Sequence, residues 1–408
     1  MSTDPEGAPR ALPDRPNLRH LKAQAKDLFK AGAAASITDA QFHVARSYGF
    51  ASWPKLKAHL DSLEEAGQLK EAIDRNDIER VKTMMTRNPA LHRAPLGYGK
   101  DGPLTWVAEC REPWEPPSPV RLAMAKWMIE HGSDVHQGGD GPLMRAALNS
   151  VRIPMMELLV SHGADVNAEW HGDFPIIFAS CEAVDPETLK WLLDRGANPN
   201  CGNARGRGRG SALDCVIETY GRSAERLSAC IDALLDAGGT TRYDAPGVLD
   251  MLRGRLDRLA AQLDADSTLL HRRFPELDCG STGGRRLLVQ GATLLHVAAE
   301  FGHIDAARLL LDRGADVNAR ATVDDAGVGG QTAIFHAATQ FGDAGFAMAQ
   351  LLAERGADLG VRVKLPGHYE RPDEIVECTA LGYALRFQDE SGSEGRTIAL
   401  LRARGAIE

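Results

Sequence analysis

The chain has 408 residues, of which 43% are hydrophobic, 25% charged and only 6% aromatic, with 41 glycines and a formal net charge of −9. That length exceeds what one compact core usually organises, so several domains or an open-ended repeat is expected. The acidic balance disfavours phosphate backbones, and nucleic acid is not expected as a partner. No apolar run approaches the roughly 20 residues that span a bilayer and no apolar leader opens the chain, so the expectation is a cytoplasmic protein with no membrane partner.

Residues 1–16, with four prolines and no apolar periodicity, read as a flexible tail. Residues 17–66 read as a helical N-terminal module. Its first helix runs from Asn17 to about Lys30 with Leu18, Leu21, Ala25 and Leu28 on one stripe, and its second starts at a capping box over Thr38 and Gln41. Its third follows Ser52, whose hydroxyl is placed to cap Trp53 onward. Arg19, Lys22, Lys26 and Lys30 make the first helix basic, the one feature in favour of a nucleic-acid regulator.

From residue 67 the pattern changes to short paired helices that end on glycine. The endings recur as His131-Gly-Ser-Asp-Val, His162-Gly-Ala-Asp-Val-Asn167, Arg195-Gly-Ala-Asn-Pro-Asn200, Arg313-Gly-Ala-Asp-Val-Asn318 and Arg355-Gly-Ala-Asp-Leu359, with degraded copies at Ala237-Gly-Gly239 and Arg404-Gly-Ala406. Gly163 and Gly196 are 33 residues apart. The clearest unit is Gly291–Ala319: Thr293 can cap a first helix, Ala298 and Ala299 let a neighbour approach, Gly302 turns the chain, and Ile304 to Leu311 supply a second helix.

This unit resembles the ankyrin repeat, matching its T-P-L-H-x-A-A, Gly-His, L-L-L and G-A-D-V-N phrases except that Leu294 replaces the proline. The phrase Asp39–Ala58 resembles the helical N-terminal module of many bacterial ankyrin proteins. The resemblance implies an all-α solenoid of stacked helix pairs with β-turn fingers: a first half-array over 67–240, divergent connecting helices over 241–290 built on a long amphipathic stretch from Val248 to Leu263, and a second half-array over 291–408. Surplus residues at 322–330 and 364–377 fall in fingers, and Arg205–Gly210 forms a basic loop.

The repeat register sets the x position on an exposed inner face, occupied by Trp106, Arg145, Phe178, Cys215, Val297, His336 and Tyr383. One turn on lie Glu109, Asn149, Glu182, Thr219, Glu300, Gln340 and Arg386, and the fingers add Trp170 and Tyr369. Aromatics beside charges suit a binding groove, so the candidate binding residues are Trp106, Glu109, Arg145, Phe178, Glu182, Trp170, Glu300, His336, Tyr369, Tyr383 and Arg386. His296, in the T-P-L-H position, is structural in the resembling family, where it bonds the neighbouring backbone.

The leading functional expectation is a monomeric adaptor that binds a protein along the concave groove and fingers. A second is a small-molecule binder or enzyme in which Glu300 or Glu182 is a base, His336 or Tyr383 an acid, and Arg386 or Arg145 an anion clamp. No nucleophile, phosphate-loop or metal motif assigns a catalytic residue, and no cofactor or metal is expected. The seven cysteines (Cys110, Cys181, Cys201, Cys215, Cys230, Cys279, Cys378) contain no C-x-x-C pair and read as thiols of a reducing compartment.

Overall fold

A computed structural model of the protein describes residues 9–13, 16–109, 115–202, 210–280, 284–371 and 373–408. Cys110 and Arg205 to Arg209 of the basic loop lie outside the described residues. The chain divides into two units, one of residues 1–107 and 118–134, the other of 108–117 and 135–408.

The first unit opens with α1 (Leu18–Lys30), α2 (Ile37–Ser47) and α3 (Trp53–Asp74). Leu21 and Ala25 of α1, Ala40, Val44 and Ala45 of α2, and Leu56 and Leu60 of α3 form one buried cluster, against which Leu12, Leu18, Phe50 and Trp53 pack. Each helix starts on a side-chain cap: Asn17 accepts from Arg19 N at 2.7 Å, Ser36 from Asp39 N at 3.1 Å and Ser52 from Lys55 N at 3.4 Å. The second start therefore falls two residues before the expected Thr38, because Asp39 reaches back to Ala35 N at 2.8 Å and closes the turn there. Of the expected tail, Arg10 N–H donates to Ser47 O at 2.8 Å. The expected boundary at 66/67 falls inside α3, which runs unbroken because Leu60, Ala66, Leu69 and Ile73 continue its buried stripe. The unit continues through α4 (Ile78–Arg87), α5 (Pro103–Ala108) at its border, and α6 (Pro119–Glu130).

The second unit is a run of helix pairs. α7 (Gln137–Ala146) and α8 (Ile153–Ser161) are followed by a finger hairpin of β1 (Glu169–Trp170) and β2 (Phe174–Pro175), then α9 (Ile176–Glu182) with α10 (Pro186–Leu193), and α11 (Ala212–Glu218) with α12 (Ala224–Asp236). First helices pack on first helices (α7 on α9, α9 on α11) and second on second (α10 on α12), the arrangement of a stacked repeat. The stretch expected as one long helix is two, α13 (Val248–Leu252) and α14 (Leu256–Ala265), because Gly254 takes φ +65° between them. They form another pair, with α13 packed on α15 (Leu294–Phe301) and α14 on α16 (Ile304–Asp312). The pairs α17 (Ala333–Ala338) with α18 (Phe346–Glu354), and α19 (Ala380–Arg386) with the short α20 (Gln388–Ser391) and α21 (Arg396–Ala403), complete the order.

Every expected ending closes alike, the degraded ones included. The residue after the glycine donates its N–H five residues back, as Ala164 to Leu159 O (3.1 Å), Gly239 to Leu234 O (2.7 Å), Ala315 to Leu310 O (2.9 Å) and Ala406 to Leu401 O (3.0 Å). At three of the endings an asparagine then ties one finger to the next. Asn167 donates Nδ2 to Gly196 O (3.0 Å) and accepts from Asn198 N (2.8 Å), Asn200 does the same to Gly238 O (2.9 Å) and Thr240 N (2.9 Å), and Asn318 to Gly356 O (3.1 Å) and Asp358 N (2.7 Å).

The finger insertions are β structure. The strand β3 (Val363–Pro366) pairs antiparallel with β4 (Ile375–Cys378), Leu365 opposite Val376, and Lys364 bridges to Gly329 of the preceding finger, itself bridged to Val323. At the first finger, Gly139 lies so close to the chain that an added Cβ would sit 2.2 Å from Glu169 O, at φ +76°. Gly139→Ala is expected to lower stability by more than about 2 kcal/mol, whereas Gly172→Ala, at φ +71° with open space around it, should cost about 1 kcal/mol. Asn318→Ala is expected to cost about 1 kcal/mol through its lost rung. Urea unfolding followed by circular dichroism measures all three, and equal losses at the two glycines would contradict the close approach.

Candidate functional site

The second unit carries a buried cluster of charge around Glu300. α15 starts at Thr293, whose N–H donates to His296 Nδ1 at 3.3 Å, so the imidazole proton sits on Nε2 and is donated to Gln331 O of the next repeat at 3.1 Å. That is the backbone tie expected of His296. Glu300 follows four residues later, one turn along the same face.

The Glu300 carboxylate is fully buried, a position that only paired charges make tolerable. Arg285, also fully buried, gives Nη2 to Oε2 at 2.8 Å and Oε1 at 3.1 Å. Arg222, from the loop between α11 and α12, gives Nε and Nη2 to Oε1 at 3.1 and 3.0 Å. From α17, His336 Nδ1 lies 2.8 Å from Oε2, and just beyond that helix Gln340 Nε2 donates to Glu300 O at 3.0 Å. The remaining guanidinium protons go to carbonyls: Arg285 to Thr339 (3.3 Å) and Leu287 (3.2 Å), Arg222 to Gly221 (3.0 Å) and Thr219. Arg222 also lies over the Phe301 ring, 4.6 Å from its centroid.

Burial alone would push the Glu300 carboxyl up, but Arg285 and Arg222, with the His336 hydrogen bond, hold it well below the usual carboxylate range. Burial pushes His336 down, so its ring is neutral and Nδ1–H is the donor to Glu300; Nε2 has no partner among the described residues. Burial likewise lowers His296 to about 3 and His303 to about 4. Sealed from the surface and bonded by Arg222, Arg285 and His336, the Glu300 carboxylate presents no open face to a ligand in this structure.

The expected exposed face is mostly buried. Trp106, Phe178, Cys215, Val297, His336 and Tyr383 are each at most 5% exposed. Neighbouring segments cover them: Asp74 accepts from Trp106 Nε1 at 2.7 Å, with Lys70 over the ring, and Phe174 meets Phe178 edge-on. Pro366 O accepts from the Tyr383 hydroxyl at 2.9 Å, and the segment carrying Arg285 and the Arg222 loop reach Glu300 with their guanidinium groups. Arg145 and Glu109 pair at 2.8 Å and are half-buried, as are Glu182 and Trp170. Arg386 pairs with Glu374, and Tyr369 stands 59% exposed.

Sequence reasoning thus found Glu300 and His336 but missed both arginines that bind them. Arg222 is 78 residues from Glu300 and Arg285 lies in the most divergent stretch, so no spacing rule signals either. Cys181, Cys215, Cys230 and Cys279 are buried free thiols and Cys201 and Cys378 half-buried ones, and burial raises Cys230 and Cys279 to about 12.

Among the described residues no helix is long and apolar enough to cross a membrane, and no group of His, Cys, Asp and Glu could hold a metal ion. The family described as "Ankyrin repeats (3 copies)" matches residues 120–203 and 259–363, and the chain is an ankyrin-repeat protein. Such repeats are generally protein-interaction modules, which supports a binding role. The unmatched stretch between them contains the α11–α12 pair, which the structure stacks like its neighbours. No curated protein matches the chain.

Glu300→Gln leaves two guanidinium groups buried without a counter-charge and is expected to cost about 3–5 kcal/mol in urea unfolding. The three buried groups act in one direction with pH. His296 and His303 fold neutral but take protons when unfolded below about pH 6.5, and Glu300 folds ionised but is protonated when unfolded below about 4.5. Stability is therefore fully present above about pH 6.5 and falls as the pH drops toward 4. His303→Leu is expected to flatten that fall; an unchanged slope would contradict a neutral His303.

Proposed function

We propose that the protein is a binding adaptor that reads a protein partner with the finger edge of its second unit, the buried inner-helix residues acting as its stiffening. The observation that carries this reading is a grouping of open apolar side chains: of the six large ones exposed in the described second unit, Val323 (49%), Tyr369 (59%) and Ile375 (47%) stand on fingers joined by β-bridges through Lys364 and Gly329. Tyrosine and aliphatic side chains held on a rigid β layer suit the anchor of an interface. Trp170, half-buried on the first finger, and the Arg386–Glu374 pair add polar and aromatic rim contacts. The buried, unbridged thiols fit a cytoplasmic site of action, and the adaptor acts as a monomer in this reading.

The test is affinity capture from a native lysate with immobilised protein, comparing wild type, Tyr369→Ala/Ile375→Ser and Tyr383→Phe. The finger variant is expected to lose its captured proteins by about 30-fold, the effect of a hot spot worth about 2 kcal/mol. Tyr383→Phe, which removes only the buried bond to Pro366, is expected to keep them. Equal capture by all three would end the finger assignment.

A further inference from the structure

The first unit carries charge of the opposite sign to the chain. Residues 9–60 hold nine lysines and arginines against three aspartates, in a protein whose net charge is −9. On α1, Arg19, Lys22, Lys26 and Lys30 recur at three- and four-residue intervals and so share one face, about 16 Å long at ~1.5 Å per residue. All four are exposed, and among the described residues none of them has an ion pair. Several lysines on other helices are matched, as Lys70 with Asp74, Lys82 with Glu79 and Lys190 with Asp194, while Lys55 and Lys57 at the start of α3 add to the open positive charge of the same module. Phe29, 46% exposed, lies beside Lys22 and Lys26 at helical spacing. The one carboxylate of α1, Asp27, sits off the row.

We propose that this face of α1 binds a single strand of nucleic acid, the four cations following successive phosphates and Phe29 stacking on a base. A row of cations about 5–6 Å apart with one open aromatic is a surface that a flexible strand can follow without a fixed groove. A lipid surface would need the apolar face of α1, and Leu21 and Ala25 have already spent that face on the helical core. A folded protein would seek a pocket, and the two clefts of about 610 and 700 Å³ in this module are lined by none of the four cations, but by residues such as Leu18, Leu60 and Leu63 and Asp27, Ala31 and His43. The acidic whole-chain charge opposes indiscriminate binding and confines a strand to the basic module.

The test is fluorescence anisotropy of the full chain with a labelled 20-nucleotide oligothymidylate from 50 to 300 mM salt. Binding is expected with a log–log salt slope of about −2 to −3, three or four phosphates at about 0.7 each. Lys22→Glu/Lys26→Glu is expected to weaken binding more than about 30-fold, and the milder Lys22→Gln/Lys26→Gln to weaken it less while making the slope shallower. Phe29→Ala is expected to weaken it roughly tenfold with the slope unchanged. Circular dichroism confirms that these surface variants fold. The proposal is overturned by no binding at 50 mM salt, by wild-type affinity in the charge variants, by no effect of Phe29→Ala, or by displacement of the strand by an equal concentration of oligoglutamate, which would assign the row to an acidic protein segment. Equal binding to anionic lipid vesicles would overturn it as well.

Discussion

The second unit depends on how one buried carboxylate is held. Glu300 is sealed from the surface, and two guanidinium groups and an imidazole are delivered to it from separate parts of the chain. Delivering them fixes the loop after α11, the segment before α15 and α17 against one another. Hydrophobic helix pairs tolerate small shifts, whereas a charge cluster with directed hydrogen bonds does not. The cluster therefore sets the register of the repeats where the sequence is least regular.

What was legible in the sequence was local. Glycine after each second helix, asparagine four residues on, and the Thr293–His296 phrase each act within a few residues or reach an adjacent repeat, so their pattern survives in linear order. The insertions at 322–330 and 364–377 were legible as surplus length, though their β pairing depends on Lys364 meeting Gly329 across repeats. The exposure of the inner face was not legible. It depends on which distant segment covers each helix, and Arg222, Arg285 and Pro366 arrive from outside the repeat pattern. The long helix expected from Val248 failed for a local reason, since amphipathic periodicity continued through Gly254 although its backbone did not.

The two units differ in how they use charge. In the second, cations are consumed by carboxylates, as at Glu300 and again where Arg242 reaches Glu218 and Asp278 beside the buried Tyr243. On α1 of the first, a row of cations remains open. Net charge over the whole chain hides that division, because the acidic majority outweighs a short basic helix.

The asparagine rungs at Asn167, Asn200 and Asn318 each address only the finger immediately after their own. Nothing in a rung records how many others exist or which helices stand between them. Such a joint is indifferent to copy number: a helix pair with its finger can be duplicated or excised in frame, and the remaining rungs reconnect without new chemistry. Variation in array length is then limited by the Glu300 cluster, whose partners are singular, and by the fingers that meet the outside world.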